Sequence, residues 1–211
     1  YIGSLPSKYL SETYRNLGMD QPDGTIRKEI AVPLAVPKAT VVMSYNADAP
    51  YKPSEYLGMD ILQGILDLVY TEKVREEEGG TYGVTINASS QKRPEEKAML
   101  MVMFECDPER AQELKSIIYK ELEEIAKNGP RQVDLEKTVS NLLKTREEAL
   151  QHNSYWANTV RNFYMTGIDS NDSRNYADIL NKFTVKKVKK MAKKFLSKAD
   201  LLEMVFVPEK K

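Results

Sequence analysis

The hydrophobic positions of this chain change period several times, and each change marks an element. Up to residue 38 there is little periodicity. Pro6, Pro22, Pro33, Pro37 and the turn Pro22-Asp23-Gly24 interrupt this part, which predicts a connector with short extended pieces. From Ala39 the stretch ATVVMSY alternates and is rich in β-branched residues, the pattern of a strand, and NADAPYKP breaks it. Pro53 and Ser54 then open a helix. Its wide apolar stripe of Leu57, Ile61, Leu62, Ile65, Leu66, Leu68 and Val69 predicts burial against a sheet. Gly58 and Gly64 inside it each cost about 1 kcal/mol relative to Ala. Close backbone packing would explain them.

Gly79 and Gly80 end that helix, and TYGVTINAS follows with Tyr82, Val84, Ile86 and Ala88 on one face at period two. KRPEEK is a turn, and AMLMVMFEC, apolar on both faces, is expected to be a central strand. Asp107-Pro108 starts a helix whose inner face carries Leu114, Ile117, Ile118, Leu122 and Ile125, and Asn128-Gly129-Pro130 stops it. A long helix from about Val133, with Leu135, Val139, Leu142 and Leu143, runs into the aromatic segment SYWANTVRNFYMTG. Two more helices, near 173–181 and 184–196, precede the last strand, LLEMVFV. Strands and helices are segregated, and hairpin spacing joins the second and third strands. The fold class expected is α+β: a two-layer sandwich of a mainly antiparallel sheet packed on helices. Residues 1–38 are read as the end of a preceding domain and a linker, and 39–211 as one domain.

Composition narrows the function classes. Lys plus Arg and Asp plus Glu both count 31, so no global field draws the chain to nucleic acid or an anionic membrane. Every long apolar run is broken short of a bilayer span, and the first residues have neither the basic nor the apolar part of a signal peptide. Because the chain starts on Tyr1, it is expected to be a piece of something longer; its compartment, periplasm or cytoplasm, is not legible. One cysteine, Cys106, closes an apolar strand and is read as a packed thiol. One histidine, His152, has no second His or Cys at ligand spacing, so no zinc site is expected within this chain.

Three stretches invite a site. Lys186, Lys187, Lys190, Lys193 and Lys194 suggest a nucleic-acid surface, but Val185, Val188, Met191, Ala192, Phe195 and Leu196 form one stripe, as in a solvated amphipathic helix. Tyr155, Trp156, Phe163 and Tyr164 could stack bases, although their helical spacing points to core packing. GGTYG is not a phosphate loop, because its glycines lead from a helix into a strand and three glutamates precede them. Arg75 and Tyr82 remain, on either side of the Gly-Gly reversal. A guanidinium fork and a phenol O–H suit a peptide carbonyl or the oxyanion formed from it. An Arg paired with a nearby Glu and a Tyr at a core rim would account for the same residues.

VREEEGGTYGV resembles the signature of the C-terminal half of pitrilysin/insulinase-type (inverzincin) zinc metallopeptidases. The preceding helix PSEYLGMDILQGILDLVYTEKV, the strand pair after it, the final strand LLEMVFV and the opening YIGSLPSKY are similar to that family in order. The resemblance implies a metallopeptidase-homology domain from a clamshell whose first domain carries an H-x-x-E-H zinc motif and a further Glu ligand. That motif is absent here, so no catalytic or metal-binding residue is expected within this chain. Arg75 and Tyr82 would hold the scissile region of a peptide substrate and stabilise its oxyanion, with Gly79 and Gly80 forming the turn between them. Zinc, its water and the general base would come from an N-terminal catalytic half, in the same polypeptide or a partner subunit. An alternative is a non-catalytic structural or partner subunit of the same fold, as in respiratory assemblies. A second alternative is nucleic-acid binding through the lysine helix.

Overall fold

A computed structural model describes residues 4–6, 8, 15, 17, 22–33, 37–73, 83–169 and 173–209. The elements, in chain order, are β1 (Thr25–Val32), β2 (Ala39–Asp48), α1 (Pro53–Tyr70), β3 (Val84–Gln91), β4 (Lys97–Cys106), α2 (Ala111–Asn128), α3 (Gln132–Ala149), α4 (Asn153–Thr166), α5 (Ser173–Asn181), α6 (Val185–Leu196) and β5 (Asp200–Pro208). Five strands form one mixed sheet in the order β1-β5-β2-β4-β3. The β2-β4, β2-β5 and β3-β4 pairs are antiparallel and only β1-β5 is parallel, as a mainly antiparallel α+β fold requires.

One face of the sheet and the helices above it share a single core. Val41, Met43, Leu100, Val102 and Phe104 from the sheet are buried with Ile61, Leu62, Ile65 and Leu66 of α1 and Leu114, Ile118 and Leu122 of α2. The stripe read in α1 is therefore its buried face. Helix α6 packs on α2, while α3 and α5 pack on α1. Both α1 glycines sit where other side chains press on the helix. A methyl at Gly58 would fall 2.2 Å from Met191 Sδ of α6, and one at Gly64 would fall 2.6 Å from Thr138 Cγ2 of α3. Helix α2 stops at Gly129, whose φ of 90° no other residue adopts cheaply, and the Gly129 N–H donates back to Ile125 O at 3.0 Å.

β4 is flanked on both sides, as its double apolar pattern predicts, but only one of its faces is covered by the core. Val42, Met99, Met101, Met204 and Phe206 occupy the opposite face part-exposed, and Met103 there is 37% exposed. Two regions depart from the pattern read in the sequence. Among the extended pieces expected before residue 39, TIRKEIAV is a full strand of the sheet, paired over its whole length with β5. Its charged Arg27, Lys28 and Glu29 lie on an edge strand, where they discourage pairing with another chain. The aromatic segment is helix α4, yet it buries no residue: Trp156 is 43% exposed, Phe163 46% and Tyr164 82%. The core packing expected for these aromatics does not occur, because the apolar face of α4 points away from the core.

Candidate functional site

The segment read as half of a site joins the end of α1 to the start of β3. Arg75, Gly79, Gly80 and Tyr82 lie outside the described residues, whereas the anchors on both sides of them are described. On the helix side, α1 continues past Tyr70 into a wider, π-type turn at residues 71–73. Tyr70 is fully buried, and its hydroxyl donates to Ile118 O of α2 at 3.0 Å. Burial, with the nearby Tyr45 and Glu121 as lesser causes, holds that phenol well above its ordinary pKa, so it is protonated at every relevant pH.

Glu72 is gripped by Arg131 at the start of α3. Arg131 Nη1 and Nη2 donate to its two carboxylate oxygens at 3.1 and 2.6 Å. The same guanidinium donates through Nε and Nη2 to buried Asp134, at 2.6 and 3.1 Å. The hydrogen bond from Arg131 holds the Glu72 carboxyl below the usual carboxylate range. One planar fork thus ties the end of α1 to the start of α3. A cavity of about 280 Å³ opens beside it, lined by Val69, Glu72, Lys73, Glu121, Glu124 and Arg131 among others. On the strand side, Gln63 Oε1 of α1 accepts from the Ala88 N–H of β3 at 2.8 Å, and Ile86 is buried against the helix layer. The described residues on both flanks of the 74–82 segment are therefore held by the helix layer, the helix side by α2 and α3 and the strand side by α1.

The other candidate residues occupy quieter places. Cys106 is a buried free thiol, pushed above its ordinary pKa by burial. His152 is exposed at the N-cap position of α4. Among the described residues no group of three His, Cys, Asp or Glu could hold a metal ion. In α6 the residues Val188, Ala192 and Phe195 are buried, while Lys186, Lys190, Lys193 and Lys194 are exposed; Thr184 caps the helix, accepting from the Lys187 N–H at 3.2 Å. Lys194 lies 3.7 Å from Glu55, and the Lys187 ammonium lies 3.8 Å from the centre of the Phe183 ring. This is a solvated amphipathic helix.

Two polar groupings gave no signal in the sequence. Glu203 on β5 is buried and accepts from Lys115 Nζ of α2 at 2.8 Å and from the Tyr119 hydroxyl, with Arg27 Nε of β1 3.7 Å away. Burial pulls its carboxyl upward, but the hydrogen bonds from Lys115 and Tyr119 and the two positive charges outweigh that and hold it below the usual range. The second grouping surrounds Asp60 on the outer side of α1, in a cavity shared with Tyr51 and Tyr56. The Glu203 partners are distant in sequence, and the Asp60 cavity is completed by Ser90, Asn162 and Thr166 from far along the chain, so only the folded chain reveals either grouping.

Fold and flanks together define an α+β layer domain whose five-stranded sheet is packed on helices. The model of the peptidase M16 inactive domain matches residues 1–142, and the chain belongs to that family. The pitrilysin-type resemblance carried by VREEEGGTYGV is thereby borne out. No curated protein matches the chain closely enough to count as a relative. Among solved structures, the periplasmic protease PqqL from Escherichia coli is similar with a TM-score of 0.76 at 20% identity, over 90% of this chain and 21% of its own. A mutant of the ferredoxin protease FusC, in complex with Arabidopsis ferredoxin, is similar with a TM-score of 0.78 at 16% identity, over 100% of this chain and 23% of its own. The peptidase M16 inactive domain from Pseudomonas fluorescens has a TM-score of 0.71 at 19% identity, over 90% of this chain and 45% of its own. The chain spans about a fifth of the first two, 21% and 23%, and under half of the third. No described helix is long and apolar enough to cross a membrane.

Proposed function

We propose that this chain is the substrate-binding C-terminal part of a zinc-dependent peptidase. Arg75 and Tyr82 contact the scissile region of the peptide there, and Gly79 and Gly80 turn the backbone between them. The observation that carries the reading is the double anchoring of the segment's flanks. Glu72 is held to α3 by Arg131, and β3 is tied to Gln63, so the described residues on both sides of the 74–82 segment are held in place. Donors held on fixed ends are what stabilisation of a developing oxyanion requires, since they need not reorganise as charge forms.

The zinc belongs to the N-terminal half, where it supplies Lewis-acid and water-activating chemistry. This chain contributes binding and orientation of the peptide. Two apolar surfaces support a partner of that kind: the open sheet face around Met101 and Met103, and the exposed side of α4 with Trp156 and Phe163. Soluble monomers rarely expose such patches uncovered. The test is reconstitution. The chain alone is expected to cleave no peptide, and adding the zinc-bearing half is expected to restore cleavage. Full cleavage by the zinc half alone would overturn the role.

The description of the family as an inactive domain favours a second reading, a structural subunit of the same fold. Substitution of Arg75 and Tyr82 separates the two, because a structural subunit loses no peptide cleavage when they change.

A further inference from the structure

The cavity at Asp60 lies on the outer side of α1 and is closed by residues from β3 and α4. Its volume is about 230 Å³, and its wall includes Tyr51, Tyr56, Asp60, Ser90, Asn162 and Thr166. The Tyr51 and Tyr56 rings pack with centroids 5.4 Å apart. No Lys or Arg among the described residues pairs with the Asp60 carboxylate. The nearby Lys92 ammonium is engaged elsewhere, donating to the Thr166 carbonyl. Burial raises the pKa of Tyr51, Tyr56 and Tyr176, and the charge of Asp60 adds to it as a lesser cause, so all three phenols sit within its field. The tyrosine group already accepts one cation: the Arg146 guanidinium stands 4.2 Å over the Tyr176 ring.

The chemistry of such a cavity selects its occupant. An anion would meet the Asp60 charge, and an apolar group would strip water from a carboxylate without replacing its hydrogen bonds. A hard metal ion needs six or more oxygen ligands, and the described residues hold no cluster for one. An organic cation satisfies both parts of the wall, pairing with the carboxylate and lying against phenol rings. We propose that this cavity binds an alkylammonium group, with Asp60 as its counter-ion and Tyr51 and Tyr56 as its aromatic wall. The group comes from a lysine side chain of a bound peptide or from a free amine. The site is independent of Arg75 and Tyr82 and stands whether or not the chain serves a peptidase.

The experiment follows backbone and side-chain NMR shifts of the 211-residue chain during titration with Nα-acetyl-lysine methylamide, its uncharged analogue Nα-acetyl-norleucine methylamide, and butylammonium. The lysine compound is expected to give saturable shifts at Tyr51, Tyr56, Asp60 and Asn162. The norleucine compound is expected to give none, and Asp60→Asn to weaken the lysine compound at least tenfold. Butylammonium matching the lysine compound assigns the site to free amines, and binding of the lysine compound alone assigns it to peptides. Equal shifts with norleucine, shifts confined to other residues, or an Asp60→Asn chain that binds undiminished would each overturn the proposal. Should Asp60→Asn unfold the chain, the lysine-norleucine comparison on the unsubstituted chain decides it.

Discussion

Arg131 holds Glu72 through two guanidinium nitrogens, at 3.1 and 2.6 Å, and with the same fork holds Asp134. Glu72 lies in the turn that follows α1 and Asp134 in the first turn of α3, so a single side chain links the two elements. Its two halves differ in worth. Glu72 faces solvent, whereas Asp134 is buried and would be left without its charged partner. Arg131→Met is therefore expected to destabilise the chain by about 1–3 kcal/mol, and Glu72→Gln to leave the global midpoint nearly unchanged. Both are expected to speed amide hydrogen exchange at residues 70–73. Equal midpoints for the two variants in urea would contradict this division.

The buried pair of Lys115 and Glu203, 2.8 Å apart, lies between α2 and β5. Removing one member of a buried pair leaves the other charge uncompensated, which typically costs about 3–5 kcal/mol. Lys115→Met is expected to cost less than that, about 1–3 kcal/mol, because Glu203 keeps the Tyr119 donor and the nearby Arg27. Adding Glu203→Gln should recover part of the loss, since an amide has no charge to compensate. Urea denaturation checks both; a double variant less stable than the single one would show that the charge is not the cause.

Asp60 sets a slope in stability against pH. Burial pushes its carboxyl up to about 6, while in an unfolded chain it ionises near 3.9. Between those values the folded state binds more protons than the unfolded state, so stability falls as pH rises through the window. The contribution is roughly 3 kcal/mol at most. Asp60→Asn is expected to match the unsubstituted chain near pH 4 and to exceed it above pH 6.5. A stability difference that stays constant across that range would contradict the assignment.

The two α1 glycines should respond differently to alanine. Ala is favoured over Gly in a helix by about 1 kcal/mol, against which stands the contact each methyl would make. At Gly58 the nearest atom is the Met191 sulfur, near the end of a flexible side chain that can move aside. At Gly64 it is a methyl of buried, β-branched Thr138, which has little freedom. Gly58→Ala is expected to be near neutral and Gly64→Ala to cost about 1–3 kcal/mol. Thr138→Ser removes the opposing methyl and should rescue Gly64→Ala. Thermal midpoints of the four chains test this ordering.

Much of the fold was legible because each pattern maps onto a face. The alternation of ATVVMSY, the stripe of α1 and the stop at Asn128-Gly129-Pro130 all report local geometry that packing then uses. Periodicity also shows that α4 has an apolar face, but it says nothing about what covers that face, so the aromatics were assigned to the core. β1 was blurred because an edge strand carries charges that weaken its alternation. Lys115 and Glu203, like Glu72 and Arg131, lie far apart in the chain, and no local spacing announces such pairs. The REEEGGTY stretch was readable only through its likeness to a family signature, because Arg and Tyr around two glycines suit a core rim as well as an oxyanion.

The central claim is that Arg75 and Tyr82 hold peptide for a zinc site carried elsewhere. The most direct measurement is kcat/KM for peptide cleavage by the full-length protein carrying Arg75→Ala or Tyr82→Phe, beside the unsubstituted enzyme. The account predicts that each change lowers kcat/KM at least tenfold, about 1.4 kcal/mol of transition-state stabilisation, with the fold intact. Unchanged cleavage by both variants would contradict it.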